Sequence, residues 1–329
     1  MDLSAITLHQ LRVFHAAART GNLTRAAEQL GISQPAVSMQ IKQLERVLGL
    51  PLLEPVGRTL RLTEVGAIVD QHAIEVLNQV NRLADVVIEM RGGDGGKLTV
   101  AADTTVGIYV MPPLLGSWRR EFAKVDIDLR VGNHDTICQL LRANEVDFAV
   151  VSTVPDLPGL VATEFVPNHL VVVAAPDHPL ARHQGSDPLP VDMLGEEPIL
   201  VREGGSSTSA AVNAFCHSRG ITPRVAMRLG SIGAIKQGVA SGLGLGVVSE
   251  RAIANELAVG SLVLLNVEGF PLELMWHVVY FRGKRLSPSA RGFMAFLEDS
   301  RQGLIATAAT SSPKRVKSAS KPHAMSPSR

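Results

Sequence analysis

The chain lacks several features that would assign it to a common class. It has only two cysteines in 329 residues, at positions without paired metal-type spacing, which disfavours a disulfide framework and a zinc site. No run of about eighteen apolar residues occurs, and no basic start leads into an apolar stretch and a cleavage site. We therefore expect a cytoplasmic protein without a membrane partner. The net charge of +1 does not by itself indicate a nucleic-acid partner, so any argument for DNA binding must rest on a local motif.

Catalytic and cofactor motifs are also missing. No G-x-S-x-G, P-loop or H-E-x-x-H segment is found, and the adjacent Cys216 and His217 would point in different directions on a helix. The glycines of SGLGLGVV, at residues 241–248, end a predicted helix and enter a strand, whereas a dinucleotide loop needs the strand first. The sequence therefore predicts no enzyme, no cofactor and no metal.

What is present is a pair of short amphipathic helices with a tight turn, within residues 22–47. The first helix has one apolar stripe, made of Leu23, Ala26, Ala27 and Leu30. It ends at Gly31, which can take the left-handed conformation. Ser33 and Pro35 are typical of the start of the next helix, because serine caps a backbone N–H and proline has none to leave unpaired. Two short helices joined by a tight turn are typical of DNA-binding domains.

The second predicted helix, from about Gln34, separates an apolar face from a polar one. The inward side chains are Val37, Ile41, Leu44 and Leu48, and the outward ones are Gln34, Ser38, Met39, Gln40 and Lys42. Short neutral hydrogen-bonding groups with one cation suit the reading of base edges in a major groove. The alternative is a helical hairpin on the surface without a DNA-binding role. The small residues Ala26 and Ala27, the turn at Gly31 and the capped start of the second helix all favour DNA binding.

A β-wing is predicted downstream, in residues 50–66, LPLLEPVGRTLRLTEVG. Two short extended runs flank Gly57 and leave Arg58 and Arg61 available at the tip. An arginine there can enter a minor groove or contact phosphates. The alternative is that both arginines are solvated hairpin charges.

Residues 8–66, from LHQLRVFHAAARTGNLTRAAEQLGISQPAVSMQIKQLERV through the wing, resemble the winged helix-turn-helix of LysR-type transcriptional regulators. By motif, the resemblance implies DNA contacts from Thr24, Arg25, Gln34, Pro35, Ser38, Gln40 and Arg58, to which the outward Lys42 is added. Two departures leave the bases read and the wing geometry open. Met39 stands where many members have arginine, and Leu53 and Pro55 replace a Phe-x-Arg turn.

Residues 63–90 contain no proline and predict one long helix. Its apolar residues alternate by four and three, as in a coiled-coil seam formed by Val69, Ala73, Val76, Val80, Leu83, Val87 and Met90. Packing against the chain's own domains is the alternative. In LysR-type proteins this helix pairs subunits, so the resemblance implies a homodimer or homotetramer on double-stranded DNA with twofold-related half-sites. RNA polymerase is a further expected partner.

The expected organisation is a head at 1–62, the linker helix at 63–90, a hinge RGGDGG at 91–96 and an effector-binding domain at 97–302. The fold class is thus an all-α winged helix-turn-helix head and linker helix followed by a two-lobed α/β unit. Residues 303–329 have five cations and no acid, and predict a disordered, solvated tail, with added DNA attraction as the alternative.

Alternating strand-like and helix-like runs after residue 97 predict two α/β lobes with parallel strands. Lobe I covers about 97–163 and 268–302, lobe II covers about 164–267, and crossovers lie near 161–168 and 267–272. Single helices are expected over 106–122 and from 288 to about 301. This arrangement resembles the periplasmic-binding-protein-like effector domain of the same family, with a cleft between the lobes.

Three strand-end loops are candidates for effector binding, because helix starts and exposed N–H groups attract anions. They supply Asp103, Thr104, Thr105, Asn133, Arg202, Ser206, Ser207 and Thr208. Each loop alone could be simple N-capping, but together on facing lobes they favour a small anionic metabolite.

We therefore expect a DNA-binding transcription regulator controlled by such a metabolite. The segments QPAVSMQIKQLE, LRVGN and RGKRLSPSARGF resemble regulators of Calvin-cycle carbon-fixation operons, which implies a sugar phosphate or a related phosphorylated effector. The alternative is a two-lobed solute-binding protein or enzyme whose N-terminal helices serve only for dimerisation.

Overall fold

The computed structural model describes residues 3–57, 59–90, 96–182 and 187–311. After a 3-10 turn at Leu3–Ala5, the head comprises α1 (Leu8–Thr20), α2 (Leu23–Leu30), α3 (Gln34–Leu48), β1 (Leu53–Val56) and β2 (Thr59–Leu62). The two strands form an antiparallel hairpin. This is the predicted winged helix-turn-helix.

The head folds around a small apolar core, and each of its three α-helices is capped at both ends. The Thr7 and Gln10 side chains form a reciprocal capping box on α1, and Asn22 and Ser33 cap α2 and α3. Gly31 ends α2 at φ +66°, the left-handed conformation expected there. The buried core residues are Val13, Phe14, Ala16, Ala17, Ala26, Ala27, Val37, Ile41, Leu44 and Leu52.

The long helix α4 spans Glu64–Met90 and begins close against the wing. The Thr63 hydroxyl accepts the Gly66 N–H at 2.9 Å and donates to the Pro51 carbonyl at 2.8 Å. Residue 66 must be glycine, because a Cβ there would lie 2.0 Å from the Leu52 carbonyl oxygen. The junction between head and linker is therefore closely packed.

The apolar stripe of α4 divides into two parts. Val69 packs against the head core and Ala73 is buried, so the first part packs on the chain itself. Val76 and Leu83 further along are 42% and 65% exposed. The predicted seam thus leaves apolar side chains without cover in a single chain.

The lobes share one mixed sheet. Its strands are β3 (Gly96–Asp103), β4 (Val125–Gly132), β5 (Phe148–Val151), β6 (Leu160–Ala174), β7 (Ile199–Arg202), β8 (Val225–Leu229), β9 (Leu245–Ser249), β10 (Val263–Leu265) and β11 (Leu272–Phe281). The strand order is β4-β3-β5-β11-β6-β9-β7-β8, with β10 also on β6. The pairs of β3 with β4 and β5, and of β7 with β8 and β9, are parallel.

Helices cover this sheet and complete the lobes. They are α5 (Thr104–Tyr109), α6 (Met111–Glu121), α7 (His134–Arg142), α8 (Met193–Glu196), α9 (Ser207–Ser218), α10 (Ile232–Ala240), α11 (Ala254–Val259) and α12 (Pro288–Ser311), with 3-10 turns at Pro179–Arg182 and Glu250–Ala252. Lobe I is built around Trp118, Phe148, Trp276 and Phe293, and lobe II around Leu170, Leu194, Ile199 and Leu245. No helix in these described ranges is long and apolar enough to cross a membrane.

The crossovers between lobes are long strands. The first part of β6 pairs with β11, and its last residues pair with β9 and β10 in lobe II. The antiparallel β6–β11 register runs from Leu170 opposite Leu272 to Leu160 opposite Phe281. Both lobes are therefore joined through the same pair of strands.

Two sequence expectations for helices are wrong. The single helix expected over 106–122 is two helices, since the chain breaks at Val110 and restarts with Pro112 and Pro113, which lack N–H donors and suit a first turn. The last helix, α12, does not end near residue 301 but reaches Ser311.

The disordered tail expected from residue 303 is accordingly wrong for residues 303–311. Leu304 and Ile305 pack against the lobe I core, and the Leu304 carbonyl accepts a hydrogen bond from Arg251 of lobe II at 3.0 Å. Apolar contact thus extends the helix into a segment whose composition predicts disorder. Residues 312–329 lie outside the described part of the chain, as do residues 91–95 of the expected hinge; Gly96 already begins β3.

Candidate DNA-binding and effector-binding sites

The outward face of α3 forms a shallow groove on the head. Its lining residues are Gln34, Pro35, Ser38, Met39, Lys42, Gln43 and Arg46. Ser33 caps the helix through a 3.4 Å hydrogen bond from the Ala36 N–H, and Val37, Ile41 and Leu44 bury the opposite face. Four of the five predicted α3 contacts therefore share one surface, with Met39 half exposed among them at 52%.

Gln40, the fifth, lies elsewhere. It is half-buried and does not line the groove. At 3.6 residues per turn, it lies about 200° around the helix axis from Lys42. Gln43 and Arg46, which the sequence reading did not single out, lie in the groove instead. Their spacing of four from Met39 and Lys42 is the signal that could have identified them, because it repeats on one helix face.

The start of α2 presents Thr24 and Arg25. Both are exposed, and the Asn22 side chain accepts their backbone N–H groups at 2.8 and 3.1 Å. The first turn of this helix is therefore fixed in position. Arg25 adds a cation near the head surface that carries α3.

The wing is attached to the rest of the head by its backbone. The Leu60 N–H donates to the Gly21 carbonyl at 2.9 Å, and Arg61 stands opposite Glu54 in the β1–β2 register. Gly57 takes φ +63° at the turn. Arg58, the predicted wing contact, lies outside the described residues.

In the two-lobed unit, the three predicted loops meet between the lobes. The Ser207 hydroxyl of lobe II donates to Asp103 Oδ2 of lobe I at 3.1 Å, and the His134 N–H donates to the Gly205 carbonyl at 3.2 Å. The Thr104 hydroxyl donates to the Gly132 carbonyl at 3.1 Å, which joins two of the loops within lobe I. Thr105 is buried beside Asp103, and Thr208 is half-buried in the first turn of α9.

Asp103 is the most buried acid of this cluster. It precedes α5 without capping it; instead Oδ2 accepts the Ser152 N–H at 2.7 Å as well as the Ser207 hydroxyl. Oδ1 is buried without a hydrogen-bond partner among the described residues. Burial raises the pKa of this carboxyl, and the Ser152 N–H, the Ser207 hydroxyl and His134 only partly oppose it.

Arg202 is buried at the end of β7, where it already has a partner. Its Nε and Nη2 donate to the two carboxylate oxygens of Glu203 at 2.7 and 2.6 Å, and these bonds lower the pKa of Glu203. The predicted cation is thus present but neutralised by its sequence neighbour. Nη1 makes no hydrogen bond in the described part of the chain.

Two other predicted contacts have a capping role. The Asn133 Oδ1 accepts the Thr136 N–H at 3.0 Å on α7, and the Ser206 hydroxyl accepts the Ser209 N–H at 3.5 Å on α9. Simple N-capping, one of the alternatives from sequence, accounts for these hydrogen bonds. Both caps nevertheless lie at the line where the lobes meet.

Sequence reasoning missed a second bridge between lobes. The Lys236 ammonium of α10 lies 5.2 Å from the ring centroid of Tyr109 on α5, and it pairs with Glu256 at 2.6 Å. Ser152, which holds Asp103, was also missed. Ser152 follows the strand β5, so the strand-end rule could have found it, whereas nothing in the sequence pairs Lys236 with Tyr109.

Two family models match the chain. One, described as bacterial regulatory helix-turn-helix protein, lysR family, covers residues 8–67, and the other, LysR substrate binding domain, covers residues 91–302. The chain is 41% identical to the RuBisCO operon transcriptional regulator of Allochromatium vinosum, over 89% of this chain and 95% of that protein. It is 38% identical to the transcriptional activator CmpR of Synechocystis, over 88% and 94%.

Among solved structures, the chain resembles the regulatory domain of CcmR from Synechocystis PCC6803 in complex with 2-PG. The TM-score is 0.60 at 35% identity, covering 64% of this chain and 99% of that domain. The matched part corresponds to the two-lobed unit in size.

Asp103→Asn tests the electrostatics of the cleft, because it removes the charge of this carboxyl while keeping its shape. A raised pKa means that the folded protein prefers the protonated form, so ionisation costs stability as pH rises above the ordinary value of 3.8. The free energy of unfolding of Asp103→Asn relative to the unmodified chain should therefore increase as pH rises above that ordinary value, measured by urea unfolding.

The control is Asp126→Asn, which removes an exposed carboxylate from β4. The increase with pH should be larger for Asp103→Asn than for this control. A difference for Asp103→Asn that depends on pH no more than that of the control would contradict the assigned burial.

Proposed function

The chain belongs to the LysR family of transcriptional regulators, and we propose that it controls a carbon-fixation operon in response to a small phosphorylated anion. Membership makes it a DNA-binding regulator and not an enzyme, so the alternative of a solute binder or enzyme is not retained. The relatives named as RuBisCO operon regulators support the operon, as do the carbon-fixation-like segments of the sequence.

For DNA, we propose that α3 enters the major groove with the face formed by Gln34, Pro35, Ser38 and Lys42. These side chains are exposed or half-buried on one surface, and they combine hydrogen-bonding groups with a cation. Thr24 and Arg25 contact the phosphate backbone beside it, and Arg58 extends the contact from the wing. Gln40 has the weakest support, because its flank faces away from this surface.

We further propose that α4 pairs with a second copy of the chain. Val76 and Leu83 are exposed apolar residues at coiled-coil spacing, and burial in a partner helix would remove them from water. A dimer made in this way carries two heads, which suits twofold-related half-sites on DNA. The dimer or a tetramer built from it acts in the cytoplasm, with RNA polymerase as a further partner.

For the effector, we propose a phosphorylated metabolite held between the lobes. The observation that carries this proposal is the meeting of three strand-end loops around Asp103, with Arg202 buried at the end of β7. The CcmR domain binds 2-PG, 2-phosphoglycolate, which is an anion of this class. Thr104, Thr105, Ser207 and Thr208 supply hydroxyls, and Asn133 and Ser206 lie at helix starts that attract anions.

In this arrangement, an ionised Asp103 carboxylate repels an anionic ligand. Its raised pKa reduces that repulsion, because a protonated carboxyl can donate a hydrogen bond to a phosphate oxygen. A ligand also competes with Asp103 for the Ser207 hydroxyl and can accept from Nη1 of Arg202, which makes no hydrogen bond within the described residues. Binding therefore shifts the balance between lobe arrangements through its different affinity for each.

The DNA-reading face is tested with a double variant, Gln34→Ala with Ser38→Ala. Each base contact is worth about 1–3 kcal/mol, so the loss of two should weaken operator binding by at least about thirtyfold. Binding to unrelated DNA should change little, because phosphate contacts remain. Gel-shift titrations on DNA flanking the gene measure both affinities.

The matched control is Ser241→Ala with Gln302→Ala, which makes the same two changes at exposed positions of the lobes. It should bind the operator as the unmodified chain does. Operator binding by the Gln34 and Ser38 variant that is as strong as that of the unmodified chain, and equally sensitive to salt, would rule out base reading by this face.

The effector is tested by calorimetric titration of the full-length chain with 2-phosphoglycolate. Arg202→Gln should weaken binding by about tenfold or more, since a charge-assisted hydrogen bond is worth about 1.5–3 kcal/mol. Arg182→Gln, at an exposed position of lobe II, is the charge-matched control and should leave binding unchanged.

Because Arg202 is buried, its substitution can also lower the stability of the fold, so Ser207→Ala serves as a second variant. It should weaken 2-phosphoglycolate binding while the temperature of thermal unfolding stays unchanged. Heat that is equal for all four proteins would contradict the cleft as the site. No heat with any protein would remove 2-phosphoglycolate as the effector and leave the DNA prediction standing.

A further inference from the structure

A separate cavity of about 1060 Å³ lies between the head, the linker helix and lobe I. Its walls are α1 and the end of α2, the middle of α4, the turn after α7 and the loop between β11 and α12. Small-molecule sites span about 300–1,000 Å³, so this volume fits a compact ligand and its hydration shell. None of the residues proposed for DNA or effector contact lines it.

The cavity is strongly cationic. Eight lysine and arginine side chains line it, against three aspartate and glutamate side chains. The whole chain has a net charge of only +1, so this excess is local and not a reflection of general basicity. A concave surface of one sign concentrates counter-ions of the other.

Some of these cations are already neutralised. Glu145 joins two of them, accepting from Arg19 of the head at 3.0 Å and from Arg130 of lobe I at 2.6 Å. Asp128 adds a second acid to Arg130 at 3.1 Å. This ion-pair group holds α1 against lobe I and forms one wall of the cavity.

Four further arginines of the lining have no such neutralisation. Arg12 on α1, Arg142 at the end of α7, and Arg282 and Arg285 on the β11–α12 loop are all exposed. Within the described residues, their guanidinium groups make no ion pair and no hydrogen bond. They come from the head on one side and from lobe I on the other.

The loop that carries two of these arginines is held in a defined shape. Gly283 takes φ +80°, and the Arg282 N–H donates to the Gly159 carbonyl at 2.7 Å. The Lys284 ammonium donates to the Asn144 side chain and to the Val146 carbonyl. Lys284 therefore anchors the loop, while Arg282 and Arg285 stay available to a ligand.

We propose that this cavity binds a small polyphosphate anion, at a site distinct from the cleft between the lobes. Several arginines arranged around a concave site match an anion with charge spread over two or more phosphate groups. A DNA duplex is not the ligand we propose, because none of the residues proposed for DNA contact lines this cavity. The DNA-reading helix α3 also contributes nothing to the lining.

Such a ligand would join the head to lobe I. Arg12 moves with the head, whereas Arg142, Arg282 and Arg285 move with lobe I, so an anion that contacts both favours their present arrangement. The Glu145 ion pairs with Arg19 and Arg130 already connect the same two parts. Occupancy of the cavity therefore biases the position of the head through differential affinity.

The test uses inorganic tripolyphosphate, titrated calorimetrically into the full-length chain without DNA or divalent ions. Arg282→Gln with Arg285→Gln should weaken binding by about tenfold or more, as two charged contacts are lost. Arg182→Gln with Arg228→Gln removes the same charge from exposed positions on lobe II and should leave binding unchanged. All three proteins should unfold at the same temperature.

Two further outcomes would overturn the proposal. Equal tripolyphosphate affinity in both double variants would mean that the arginines of the loop do not form the site. Loss of DNA affinity in the Arg282 and Arg285 variant, with a smaller salt dependence and unchanged tripolyphosphate binding, would assign the patch to DNA phosphates.

Arg202→Gln separates this site from the cleft. It should retain tripolyphosphate binding whether or not 2-phosphoglycolate binds the cleft. If Arg202→Gln abolished tripolyphosphate binding and the Arg282 and Arg285 variant kept it, the anion would belong to the cleft and the second site would be rejected.

Discussion

The sharing of β6 and β11 by both lobes is the constraint on which the rest of the effector unit depends. These two antiparallel strands run from lobe to lobe and pair between Leu160 and Leu170, with one register shift between Met275 and His277. A change in the angle between the lobes must therefore bend or twist this ribbon. The parallel strands on either side end near the same line. Asp103, the last residue of β3, is therefore in hydrogen-bond contact with Ser152 after β5 and with Ser207 at the start of α9, although the chain separates these residues widely. Arg202 ends β7 shortly before Ser207.

That cluster is held by polar contacts whose balance a ligand can change. Asp103 is buried, with one oxygen that has no hydrogen-bond partner among the described residues, and Arg202 is neutralised by Glu203. Burying a charged group is costly unless its partners are complete, so an incomplete set is a place where a bound anion can alter the energy of lobe closure. The Lys236 contact with Tyr109 and the Arg251 contact with Leu304 of α12 join the lobes at other points, and a change in angle must affect them too.

Local patterns in the sequence predict the head and much of the lobes. Capping residues such as Ser33, the Gly31 turn and the helical spacing of Val37 and Ile41 act over a few residues, so the helix-turn-helix follows from neighbours in the chain. The three effector loops can be predicted for the same reason, because the end of a strand is also recognised from neighbouring residues. What the sequence does not give are contacts between distant residues. The pairing of Lys236 with Tyr109 and the packing of Leu304 in lobe I both depend on the completed fold.

The central claim is that an anion bound between the lobes changes how the heads hold DNA. The most direct measurement is the bend angle of operator DNA bound to the full-length protein, determined by energy transfer between dyes at the DNA ends, with and without saturating 2-phosphoglycolate. A ligand-dependent change in end-to-end distance is expected, and it should be absent in Arg202→Gln. The same bend with and without ligand, under conditions where calorimetry shows the cleft to be filled, would contradict the claim.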